Sequence, residues 1–223
     1  MKKVLIPGAI AALTLAQPAT AAETIFTSNF EDEKLFEDGT RSGWKVVQST
    51  VDGVWKAEQG TAGIELQFNN TAGAPAPNGG RVIVELDSHS NSGMFYTFAE
   101  DGIYTLDFLF SPRPGLPSGS NFISVLVKGV MGETVLGQFT GGPNPSTVWS
   151  SETVKPFTAL KNQQLVFRAG GNSDGQGGYL DNIKLSNVSA VPEPGTWAMF
   201  ILGLGLIGFA MRNRQKAAAI SFA

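Results

Sequence analysis

Few side chains in this 223-residue chain could do chemistry, and none sits in a nucleophile's setting. The single histidine, His89, lies among Ser88, Ser90 and Asn91, a run that reads as a solvated turn. No glycine elbow surrounds Ser88 or Ser92, so neither serine is presented to that imidazole for attack. Cysteine is absent, which removes thiol catalysis, disulfides and zinc–thiolate sites together. Carboxylates are the remaining reactive class. Glu65, Glu85 and Asp87 fall on or beside expected strands, where solvent-facing alternation explains them. The alternative for such acids is a pair that hydrolyses glycosides, recognisable only by their separation in space.

Two other acids stand out. In Tyr179-Leu180-Asp181-Asn182-Ile183-Lys184-Leu185, simple alternation puts Asp181 with Ile183 and Leu185 on the core side, where an unpaired carboxylate is costly. Glu31 opens the same module, and the first and last strands of a closed sandwich often pair. A structural calcium ion (Ca2+) held by Glu31, Asp181 and backbone carbonyls would offset the cost, because calcium takes hard oxygen ligands in flexible geometry. The other reading is an Asp181 satisfied by ordinary hydrogen bonds at a strand end. Gly171 to Gly178 is glycine-rich but no helix follows it, so it is a flexible turn and not a phosphate cradle.

The elements that must position these groups are short strands. Tyr104, Leu106, Phe108 and Phe110 share one parity with Thr105 and Asp107 on the other, the period-two mark of a half-buried strand. Ile123, Val125 and Val127 repeat it, as do Leu165, Phe167 and Ala169. Val82 to Leu86, Met94 to Phe98, Thr134 to Phe139 and Tyr179 to Leu185 are further strands, separated by loops such as Ser111-Pro112-Arg113-Pro114-Gly115. No helical period appears outside the two chain ends. The expected fold is all-β, a sandwich.

Both ends read as export signals. Lys2 and Lys3 precede an apolar stretch from Val4 to Leu15, and Ala19-Thr20-Ala21 offers small residues to a signal peptidase. At the other end Val191-Pro192-Glu193-Pro194 forms a stiff extended spacer. An uncharged run from Thr196 to Met211 follows, slightly short for a bilayer span, and then the basic anchor Arg212, Arg214 and Lys216. The expected organisation is a signal peptide over 1–22, a β-sandwich over 23–188, a proline-rich linker over 189–195, a membrane helix over 196–211 and a basic cytoplasmic tail over 212–223. Five of the 16 basic residues lie in these end segments while all 19 acidic ones lie between Glu23 and Glu193, leaving the middle near −8. Such an acidic module does not suit nucleic acid.

The order Val191-Pro192-Glu193-Pro194, apolar helix and Arg-rich end resembles the PEP-CTERM sorting-domain proteins of Gram-negative bacteria. That resemblance implies an exosortase-type membrane transpeptidase as partner, with the protein first anchored in the inner membrane facing the periplasm and then passed to the cell surface or extracellular matrix. Ala217 to Ala223 extends beyond the usual end of such tails.

A second resemblance spans the middle. Asn29-Phe30-Glu31, Gly43-Trp44, the segment Gly80 to Asp87, Gly102 to Phe108 and the closing Gly178-Tyr179-Leu180-Asp181-Asn182-Ile183 look like the galactose-binding-like jelly rolls of carbohydrate-binding modules. It implies a jelly-roll sandwich, a calcium shared by Glu31 and Asp181, and glycan binding through rings stacked on sugar faces. Trp55, Tyr96 and Trp149 are the candidate rings, while Trp44, between Gly43 and Val46, reads as core. The combined expectation is a noncatalytic, surface-sorted protein that binds exopolysaccharide or other glycans. A glycoside-active enzyme and a self-assembling surface protein are the alternatives.

Overall fold

The computed structural model describes residues 22–33, 43–68, 70–188, 199–209 and 212. Among the described residues twelve strands follow one another: β1 Glu23–Ser28, β2 Gly43–Val47, β3 Lys56–Ala57, β4 Ile64–Phe68, β5 Val82–Glu85, β6 Gly93–Thr97, β7 Gly102–Ser111, β8 Phe122–Gly129, β9 Gly132–Phe139, β10 Ser150–Ala159, β11 Gln164–Gly170 and β12 Tyr179–Asn187. They form a jelly-roll-like sandwich of two antiparallel sheets. The larger runs β10-β7-β12-β5-β4-β2 with β1 also paired to β12, and the smaller runs β3-β6-β11-β8-β9. First and last strands therefore pair as expected, with Ser28 opposite Ile183 and Glu23 opposite Asn187.

The core between the sheets is built by the alternation visible in the sequence. β7 contributes Tyr104, Leu106, Phe108 and Phe110, β8 contributes Ile123, Val125 and Val127, and β11 contributes Leu165, Phe167 and Ala169. Aromatic rings dominate: Phe167 meets Trp55 and Phe108 edge-on at 5.6 and 5.1 Å between centroids, a geometry that adds to the area each ring buries. β4 and β5 are buried along their whole length, so the larger sheet is covered on part of its outer face as well. That second cover consists of Ala74, Ile83 and Tyr179, with Ala76 and Trp149 packed against them.

Alternation along β12 breaks at one residue. Asn182 adopts φ 47°, and the pairing of β12 with β7 shifts register between Asp181 and Lys184. A β-bulge of this kind inserts a residue and resets which side chains point inward. Leu180, Ile183 and Leu185 all enter the main core, while Tyr179 belongs to the outer cluster. Asp181 thus shares the outer face with Tyr179, which corrects the simple parity that grouped it with Ile183.

The sandwich, Ala22–Ser189, is one compact unit. Outside it, residues 199–209 are α-helical with their apolar side chains exposed. No helix among the described residues is long and apolar enough to cross a membrane. Residues 1–21 of the expected signal peptide, Val191, Pro192, Glu193, Pro194, Arg214 and Lys216 lie outside the described residues; Arg212 is helical and exposed.

Candidate functional site

The open part of the larger sheet's outer face carries a polar rung that crosses four strands. Thr27 on β1 pairs with Lys184 on β12, Lys184 with Asp107 on β7, and Asp107 with Thr153 on β10. The Thr153 hydroxyl donates to Asp107 Oδ1 at 2.7 Å. These residues, together with Leu109, Ser151 and Asn182, line a groove of about 540 Å³. Asn78 closes it from a loop and Glu152 from the edge strand. Strand geometry explains the grouping, because residues opposite one another across a ladder share a face. The groove offers hydroxyl, amide, carboxylate and ammonium groups in a row, with Leu109 as an apolar floor. A hydroxyl-rich ligand needs such mixed donors and acceptors beside a small apolar surface.

Beside this groove lies the carboxylate pair Glu31 and Asp181. Asp181 is 2% exposed, and its Oδ1 accepts the Asn182 amide at 2.6 Å. Burial is the first cause that pushes its carboxyl up to about 7, and the Glu31 charge adds to it. Glu31 accepts the Arg81 and Val82 amides through Oε1 at 2.6 and 3.0 Å, and Arg81 Nε stands 3.7 Å from its Oε2. Gly80 permits this approach, since a Cβ there would lie 2.8 Å from Glu31 Oε1. Phe30 and Asn182, each next to one of the acids, both take left-handed backbone angles, φ 58° and 47°. Burial of the Phe30 ring offsets the cost of that conformation, which is about 1–2 kcal/mol. Two acids that repel each other, one of them buried, are an oxygen-only donor set that fits a hard cation such as calcium. Among the described residues no three His, Cys, Asp or Glu side chains gather around one point, so backbone carbonyls and water would complete the shell.

The aromatic candidates are not brought together. Trp55 is 0% exposed, its indole N–H donates to Ser28 Oγ at 3.0 Å, and Phe26 and Phe167 enclose it. It is a core residue, and no sugar can stack on it, which corrects the expectation. Tyr96 is half-buried against Phe26 and Phe98 on the smaller sheet, at the wall of a 290 Å³ groove with Asp52, Lys56 and Thr97. Trp149 packs on the outer cluster of the larger sheet, with its indole N–H given to the Pro75 carbonyl at 3.0 Å. Trp44, expected in the core, is instead 50% exposed on edge strand β2, edge-on to His89 at 5.8 Å.

The strand acids are also relocated. Glu65, Glu85 and Asp87 are all buried, not solvent-facing. Glu65 and Glu85 stand opposite each other, and one Gln67 amide nitrogen donates to both. Burial pushes the Glu85 carboxyl up to about 8, against the attraction of Arg113, whose Nη1 sits 2.9 Å from its Oε1. Asp87 and Glu85 hold the glycine-rich loop, accepting the Asp174 and Gly177 amides. His89 is an exposed turn residue bonded to Ser88, and Ser92 spends its hydroxyl on the Gly63 and Leu86 carbonyls. The Thr27–Lys184–Asp107–Thr153 rung has no signature in the sequence, because its members are far apart in the chain and united only by register.

Comparison with known proteins bears on the ends and on the sandwich separately. Residues 190–215 match the PEP-CTERM protein-sorting motif. This motif marks an exported, membrane-sorted protein of Gram-negative bacteria. Over 159 residues, 70% of this chain, the sequence is 26% identical to a multifunctional-autoprocessing repeats-in-toxin of Vibrio vulnificus, and over 136 residues, 59% of the chain, 25% identical to one of Vibrio cholerae serotype O1. The matched region spans about 3% of the length of each of these curated relatives. Among solved structures, the CBM22-1 xylan-binding domain of Paenibacillus barcinonensis Xyn10C is similar at 13% identity and TM-score 0.48, covering 78% of this chain and 99% of that one. The K2 cleaved adhesin domain of Lys-gingipain is similar at 16% identity and TM-score 0.47, covering 72% and 98%.

Proposed function

We propose that this chain is an exported, noncatalytic protein of the bacterial envelope, sorted to the cell surface through its C-terminal motif, whose sandwich holds a polysaccharide in the groove of the larger sheet. The sorting motif at residues 190–215 carries the first half. In this reading an exosortase-type transpeptidase processes the tail after a signal peptidase has removed the leader. The polar rung of Thr27, Lys184, Asp107 and Thr153 supports the second half, because it lines an open channel with hydrogen-bonding groups and an apolar floor. Glu31 and Asp181 would hold a calcium ion at the wall of that channel, and the ion would supply positive charge to the buried Asp181 and its neighbour Glu31 and rigidity to the β1–β12 junction. Asn182 and Lys184 lie on the same strand as Asp181, so the ion would fix the groove's shape without touching the ligand.

Burial of Glu65 and Glu85 speaks against a glycoside-cleaving pair, since no sugar can reach carboxyls that are 6% and 0% exposed. Two experiments test the proposal. Removal of residues 190–215 should abolish surface display in the producing bacterium, and display that survives the deletion would remove the sorting half. Retention of the purified protein in polysaccharide-containing gels should depend on Asp107 and Lys184. Migration unchanged by any envelope polysaccharide would remove the binding half.

A further inference from the structure

The chain leaves the sandwich at one end, and that end carries exposed apolar side chains. Asn187, the last residue of β12, pairs with Tyr104 near the start of β7, and the Val188 amide donates to the Ile103 carbonyl at 2.7 Å. Two turns gather around this exit. Ala159, ending β10, pairs with Gly102, and the following Lys161 amide is bound by Asp101 at 2.7 Å. Gln164, opening β11, pairs with Lys128, so the β8–β9 hairpin turn stands at the same end. Val130 and Met131 form the tip of that hairpin and are fully exposed, while Leu160 is 52% and Ile103 45% exposed. Gly129 and Gly132 pair across the hairpin beside its tip, and Gly132 takes φ 133° there. The Val130 and Met131 side chains bury nothing in the sandwich, at a turn tip where polar residues are the ordinary choice.

We infer that this end of the sandwich docks on a lipid surface, with Val130, Met131, Leu160 and Ile103 entering the interfacial layer beside the point where the chain departs. The inference rests on the sorting half of the proposed function, taken with the sequence expectation that the apolar run beginning at Thr196 lies in the bilayer. Residues 189–195 alone separate that run from Val188, and they reach about 25 Å at full extension. The exit end of the sandwich is thereby held near the headgroups, and four apolar side chains, three on neighbouring turns and Ile103 at the start of β7, match what interfacial insertion requires. Glu100 and Asp101 share this end with Lys161, so the surface suits zwitterionic lipid and gains nothing from anionic lipid. Docking would keep the point where the chain leaves the sandwich at the membrane, where a membrane-embedded transpeptidase works.

The absence of cysteine makes the test direct, since any introduced thiol is the only one to label. Full-length protein carrying Met131→Cys, Leu160→Cys or Ser118→Cys is labelled with an environment-sensitive dye and reconstituted into vesicles of phosphatidylcholine and phosphatidylethanolamine containing a headgroup-region doxyl lipid. Ser118 lies exposed in the loop between β7 and β8, at the opposite end. The inference expects a blue shift and loss of intensity at positions 131 and 160 and neither at 118. Vesicle-bound protein whose three labels respond alike would overturn docking while leaving the anchor intact. Protein that fails to float with the vesicles would overturn the anchor, and docking with it. Quenching that follows protein concentration without doxyl lipid would assign the surface to a second copy of the chain instead, and would also overturn it.

Discussion

Replacing Asp181 by Asn separates a buried acid that merely costs stability from one that awaits a cation. In the folded chain the carboxyl titrates near 7, against 3.8 for a free aspartate, because burial and the Glu31 charge both disfavour ionisation. The folded value is raised, so the contribution to stability is full below about pH 4 and is lost as pH rises through about 7. At pH 8 the ionised side chain costs up to about 4 kcal/mol. Asparagine keeps the acceptor for the Asn182 amide and carries no charge to desolvate. With chelator at pH 8, Asp181→Asn should therefore be the more stable form, by up to roughly 8–16 °C in Tm for a domain of this size. Millimolar calcium should reverse the order, since an ion bound only by the folded native protein raises its stability and the variant lacks a ligand. Urea and thermal unfolding of the Ala22–Ser189 unit in both solutions measure this. A native protein more stable than Asp181→Asn in chelator would refute the reasoning, because it would mean the carboxylate already has a partner. Equal Tm values for the native protein in calcium and chelator would remove the cation.

Trp55→Ala should cost about 3–5 kcal/mol in urea unfolding, the range for deleting a core aromatic, whereas Trp44→Ala should cost under about 1 kcal/mol. Glu85 titrates near 8 when folded and 4.5 when free, so its contribution is full below about pH 4.5 and is lost as pH rises through about 8. Glu85→Gln should flatten the decline in Tm over that interval, and an unchanged decline would contradict the assignment. Arg168 binds Glu58 through two nitrogens at 2.6 Å each, with Glu133 on its other edge. Burial raises the Glu58 carboxyl, but bonds from Arg168 and Lys128 outweigh it and hold the group below its ordinary 4.5, so this contribution is present above that pH and fades on acidification. Arg168→Ala should lower stability by about 2–4 kcal/mol at pH 7 and by less near pH 3, read from urea midpoints.

Strands whose outer faces meet solvent were legible in the sequence, and strands with other surroundings were not. β7 alternates along most of its length because it packs one face on the core, and β8 and β11 keep the same period on their core faces although Leu126 and Val166 are buried on the other side. β10 is an edge strand with Lys155 and Pro156 in its middle and a register shift between Val154 and Phe157, so its period is broken where it would be read. In β4 the alternation of Ile64, Leu66 and Phe68 with Glu65 and Gln67 suggests a solvated polar face, yet a loop layer covers that face and buries both polar residues. Asn182 inserts one residue and reverses the parity of Asp181, a change that an asparagine permits but does not announce. Pairing of the chain's first and last strands was legible from the closing logic of a sandwich, and it brought Glu31 and Asp181 together. Which tryptophan is buried was not legible, because Trp44 and Trp55 both have polar neighbours and only their places in the folded sandwich decide. The groove was invisible for a related reason, since Thr27, Asp107, Thr153 and Lys184 meet through register alone.

Titration calorimetry of the Ala22–Ser189 unit against polysaccharides from the envelope of the producing bacterium tests the central claim most directly, run beside Asp107→Ala and Lys184→Ala. Binding to at least one polysaccharide, lost in both variants while their unfolding stays native, is the result this account predicts. Absence of binding to every polysaccharide, or binding that both variants keep in full, would contradict it.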